Sequence, residues 1–76
     1  MTTTTIQIKG LEYPTADEAI QGADAGGGEA ITLGGKFLVV ERPEADRIAA
    51  AGVSFAYLCV NVAADGAERV VTVPIN

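Results

Sequence analysis

Few side chains in this sequence could do chemistry. Histidine is absent, which removes the commonest general base, the commonest zinc ligand and the one side chain that ordinarily titrates near neutrality. Cys59 is the sole cysteine. It has no second thiol for a disulfide or a Cys-x-x-Cys site, and no basic neighbour in Leu58-Cys59-Val60 to favour the thiolate. It reads as a small hydrophobe buried in a strand. Glu12, Asp17 and Glu18 could supply paired carboxylates or hold a divalent cation. A calcium loop, however, needs closely spaced oxygen ligands ending in a distal glutamate, a pattern missing here. Gly26-Gly27-Gly28-Glu29 and Gly34-Gly35-Lys36 are similar to phosphate loops only in their glycines. Neither continues into a P-loop or dinucleotide fingerprint at a helix start. The sequence therefore predicts no catalytic residue, no metal and no cofactor, and a protein that is not an enzyme.

Charge says more. Ten acids against five bases give a net charge of −5, which works against attraction to phosphate backbones and anionic lipid. Arg42, Arg47 and Arg69, with Tyr57, are too few for a nucleic-acid surface and are placed to neutralise Glu44, Glu41 or Glu68 nearby. Direct contact with nucleic acid or membrane is not expected. Residues 1–29 hold Glu12, Asp17, Glu18, Asp24 and Glu29 against Lys9 alone, whereas the remainder is almost balanced. Such a region can simply keep a protein soluble. It can also engage a basic partner through charge-assisted hydrogen bonds to Arg or Lys. The candidate partner-binding residues are Glu12, Asp17, Glu18, Gln21, Asp24 and Glu29.

The elements that would position them follow from local pattern. Thr2 to Lys9 alternates, with Ile6 and Ile8 opposite Thr5, Gln7 and Lys9, and predicts a half-buried strand; Leu11–Tyr13 would pair back on it after Gly10. Thr15-Ala16-Asp17-Glu18 has capping-box spacing and starts a helix over Ala16–Asp24, with Ala16, Ala19, Ile20 and Ala23 on its buried stripe and Asp17, Gln21 and Asp24 opposite. Gly22 weakens that helix. Gly34-Gly35 joins two apolar runs as a primed hairpin turn. Pro43 to Ala51 is a second helix that buries Ala45, Ile48 and Ala49, with Gly52 as its left-handed cap. Val53–Val62 is apolar on both faces and reads as a central strand. Asp65-Gly66 turns it back; a two-residue loop would set Val60 against Val71 and Leu58 against Val73. Pro74 marks an edge.

The 76 residues thus predict one α+β domain. Its order is β-β-α-β-β-α-β-β, a small antiparallel sheet of five to six strands with two short helices on one face. That arrangement leaves a problem. Of the 37 apolar residues behind the 49% apolar fraction, 13 are alanine, so two alanine-rich helices cover one face and something else must cover the other: a curled sheet, a second copy or another protein. With Met1 and four threonines at the start there is neither a basic stretch nor a long apolar run, so no leader or membrane span is expected and a cytoplasmic protein fits.

In its size, acidity and lack of chemistry the whole chain resembles phage-encoded inhibitors, among them anti-CRISPR proteins and other nucleic-acid mimics. That resemblance implies a non-enzymatic interaction module that occludes a basic, nucleic-acid-binding surface of a larger protein. The alternative is a structural or assembly module, a homodimer formed through its sheet, in which the acidic helix serves solubility alone. Small-ligand binding in a curled sheet has only Phe55 and Tyr57 to support it, and core packing accounts for both.

Overall fold

A computed structural model describes residues 7–75. The elements are β1 (Leu11–Tyr13), α1 (Ala16–Gly26), β2 (Glu29–Leu33), β3 (Lys36–Val40), α2 (Arg42–Ala50), β4 (Phe55–Val62) and β5 (Glu68–Ile75). The strands form one five-stranded sheet in the order β1-β3-β2-β4-β5, antiparallel throughout. The fold class is the predicted one.

The local signals act as the residue chemistry requires. The Glu18 amide donates to Thr15 Oγ1 at 3.2 Å, capping α1. Helix α1 then runs two residues past Asp24, because Gly27, at φ 75°, takes the left-handed position and its amide donates to the Ala23 carbonyl. Gly34 and Gly35, at φ 60° and 80°, close the β2–β3 hairpin with Leu33 opposite Lys36. At the end of α2, Gly52 has φ 81°, and the Gly52 and Val53 amides donate to the Ala49 and Ile48 carbonyls, the Schellman arrangement.

Four expectations are corrected. The strand expected over Thr2–Lys9 lies partly outside the described residues, and Gln7–Lys9 is not a strand. It is a strap on α2: the Lys9 amide donates to Glu44 Oε2 at 2.8 Å and the Gln7 carbonyl accepts from Arg47, so side chains take the bonds a neighbouring strand would have made. Strand β1 pairs instead with β3.

Second, the helices lie on opposite faces of the sheet. Ala19 and Ala23 of α1 pack with Ala30 and Leu58, joined by Tyr13, Phe37 and Val39. Ala45 and Ile48 of α2 pack with Ile31, Val40 and Phe55. Ala30 and Ile31 are consecutive in β2 and must point to opposite sides. The reason is topological. Each helix joins two parallel strands that flank one intervening strand, β3 for α1 and β2 for α2, and both crossovers step the same way across the sheet. The two strand pairs run in opposite directions, so crossovers of the same hand put their helices on opposite faces. This removes the uncovered face.

The third correction is the β4–β5 register. Ala63 and Ala67 close a three-residue loop: the Ala63 amide donates to the Ala67 carbonyl, the Gly66 amide to the Ala63 carbonyl, and the Ala67 amide to Asp65 Oδ1. Gly66 has φ 87°. This is a bulged turn, one residue longer than the two-residue loop. It sets Val60 against Val70 and Leu58 against Thr72, which turns every β5 side chain to the face opposite the expected one.

Fourth, β4 is central only at its start. It pairs with β2 through Tyr57 and Ala56, and beyond Leu58 it leaves the body with β5 as a two-stranded arm that gives the molecule a 51 Å long axis. Cys59, Val60 and Val62 are exposed.

Core and arm should therefore respond differently to truncation. Ile48 is fully buried and Val62 is 66% exposed. Ile48→Ala is expected to cost about 2–5 kcal/mol and Val62→Ala less than about 0.5 kcal/mol, as read from urea midpoints of the two variants.

Candidate functional site

The fold separates the acidic residues that cluster in the sequence. Asp17, Gln21 and Asp24 fall on one side of α1 by their spacing, and Glu18 is turned about 100° away. Glu12 lies opposite Leu38 and Glu29 opposite Val40, on the face that α2 covers. Both are engaged there, Glu12 with Lys36 and Glu29 with Arg42, each at 3.8 Å. Exposed pairs of this length contribute under about 1 kcal/mol, but they place these two carboxylates away from α1. The predicted set is thus divided between two faces.

What α1 does form is one wall of a groove. Asp17, Ile20, Gln21 and Asp24 face Val60, Glu68, Arg69 and Val70 of the arm across a concave space of about 500 Å³. Ile20, Val60 and Val70 are its apolar lining, its helical wall carries two carboxylates and an amide, and Glu68 and Arg69 add one charge of each sign from the arm. Ile20 and the arm residues were missed because the sequence pattern spends Ile20 on core packing, places Val60 in a central strand and sets Val71 rather than Val70 beside it. The Asp-Gly turn, read as a bulged loop, was the available signal for the register.

A larger cleft, of about 680 Å³, lies where the strap meets the two helices. Val39, Val40, Leu11 and Pro43 supply apolar surface, and glycines the backbone walls. A β-carbon on Gly28 would come within 2.9 Å of the Val40 carbonyl, and one on Gly10 within 2.7 Å of the Val39 carbonyl; these two glycines let the chain lie against β3. Two of the charged groups at its rim, Glu44 and Arg47, are committed to each other. Arg47 donates through Nε to Glu44 Oε1 at 2.9 Å and through its terminal nitrogen to Glu44 Oε2 at 2.7 Å. The Arg47 guanidinium first, and the Lys9 amide second, hold the Glu44 carboxyl down at about 2.

Cys59 is exposed, against the expectation of burial, because it shares the face of Phe55 and Tyr57 but lies beyond the core beneath α2. Phe55 and Tyr57 meet edge to face with centroids 5.5 Å apart and belong to the core beneath α2. Among the described residues no three His, Cys, Asp or Glu side chains are grouped to hold a metal ion, and no helix is long and apolar enough to cross a membrane. Comparison of the chain with protein-family models, curated proteins and solved structures finds no match in any of the three.

Glu44 gives a prediction in pH. Its folded-state pKa is lowered from 4.5 to about 2, so the stability it contributes is fully present above the unfolded value and is lost as pH falls through the folded one. The denaturation midpoint should drop between about pH 4.5 and pH 2, and Glu44→Gln should flatten part of that drop. Equal acid sensitivity in both proteins, measured by urea titration across that window, would contradict the assignment.

Proposed function

We propose that this protein is a non-enzymatic binding module of the cytoplasm that occludes a basic surface of a larger protein, in the manner of the small phage inhibitors it resembles. The observation that carries the reading is the groove between α1 and the arm. Asp17 and Asp24 stand about 10 Å apart along one helix side, from seven residues at 1.5 Å each, a spacing that suits successive Arg or Lys side chains on a partner element. Ile20, Val60 and Val70 offer the apolar contact that makes such an encounter more than electrostatic steering. Glu12 and Glu29 have no part in it, and Glu18 at most borders it.

Titration of the labelled protein with a synthetic decapeptide bearing arginine at alternate positions tests this. The Asp17, Gln21, Asp24 and Val70 resonances should move together, with affinity falling as salt rises. Asp17→Lys combined with Asp24→Lys should weaken binding at least about tenfold with an unchanged circular dichroism spectrum, whereas Glu12→Lys with Glu29→Lys should not. Shifts spread equally over both faces would refute the groove.

A further inference from the structure

The outer edge of β5 is the longest unpaired main-chain edge among the described residues, and its pattern specifies an occupant. The bond from the Ala63 amide to the Ala67 carbonyl makes that pair a hydrogen-bonded one. The alternation of an antiparallel ladder then assigns Asn61–Arg69, Cys59–Val71 and Tyr57–Val73 to bonded pairs. The main-chain groups of Glu68, Val70, Thr72 and Pro74 consequently point away from β4. Pro74 fits this assignment, since the amide it lacks falls on the outer side.

We infer that this edge pairs with the β5 edge of a second copy, antiparallel and two-fold symmetric, with Val70 of each copy opposite the other. In this register the Val70–Val70 pair and the two Glu68–Thr72 pairs each have a donor and an acceptor on both strands. Neighbouring registers are worse. Centring on residue 71 sets Pro74, which has no amide, against Glu68 and Val70 against Thr72, so the Val60–Val70 rows of the two copies no longer meet. Centring on residue 68 or 69 opposes Glu68 to Glu68 or Arg69 to Arg69, and like charges directly opposite are unfavourable.

Side chains agree with the main chain. Val60 lies beside Val70 within each arm, so the Val70-centred pairing lines up four valines in one row across the two arms, where Val60 and Val70 are now 44% and 39% exposed. Between Arg69 and Ile75 the strand has no charged residue to deter pairing. Glu12 is at the opposite edge of the sheet, on β1, so the two copies meet at their less acidic edges. One strand's width is a small contact, below the roughly 1,200–2,000 Å² of a stable interface, and a reversible dimer is the result.

Sedimentation equilibrium up to about 1 mM, paired with amide exchange, tests the inference. Mass should rise toward that of a dimer. The Val70 and Thr72 amides should gain at least about tenfold protection on concentration, while Val71 and Val73 stay protected throughout. Thr72→Pro removes an outward amide and leaves the β4 ladder whole; Val70→Lys sets two ammonium groups against each other at the axis. Each should weaken association at least about tenfold, and the Asp17→Lys, Asp24→Lys protein should associate as before, so this test is independent of the groove. A monomer at every concentration, concentration-independent protection of Val70 and Thr72, or association that survives both edge variants would overturn it.

Discussion

Two consecutive side chains, Ala30 and Ile31, hold the molecule together. Strand β2 lies between β3 and β4, and alternation along it sends Ala30 under α1 and Ile31 under α2. Two crossovers of one hand on oppositely directed strand pairs make this arrangement obligatory. It also explains how so few bulky residues suffice: a β2 only five residues long supplies both cores. On the α1 side the contact is made by Ala19, Ala23 and Ala30, small residues that bring the helix close to the sheet. On the α2 side Ile31, Val40 and Ile48 fill the larger space.

Close approach recurs away from β2. The Tyr13 hydroxyl occupies the space that a β-carbon on Gly22 would need. In the sequence Gly22 is only a weak point in a helix, because helix propensity is local and the tyrosine that fills the gap lies on β1. The strap is similar. Alternation in Thr2–Lys9 suggests a strand, yet the Lys9 amide is taken by the Glu44 carboxylate 35 residues away.

The legible parts were the ones that one turn of chain decides. The Thr15 cap, the Gly34-Gly35 turn, the Gly52 cap and the edge position of Pro74 all depend on neighbours within a few residues. The face each helix occupies, the partner of β1 and the exposure of Cys59 depend on strand order, which no local pattern contains. The β4–β5 register fell between: Asp65-Gly66 announces a turn but is compatible with loops of two and three residues, and that single residue decides which valines face α1. The site shows the same division. Asp17, Gln21 and Asp24 share a helix side by spacing alone, while Glu12 and Glu29, close to them in sequence, belong to strand positions facing the other way.

The arm has a practical consequence. Ala63, Ala64, Asp65, Gly66 and Ala67 form an exposed tip of small residues at the far end of a two-stranded lever. Neither core extends that far, and the turn is closed by bonds among its own atoms. Foreign sequence spliced into it would be displayed at a distance from both helices, so this is the position at which the scaffold can carry a graft.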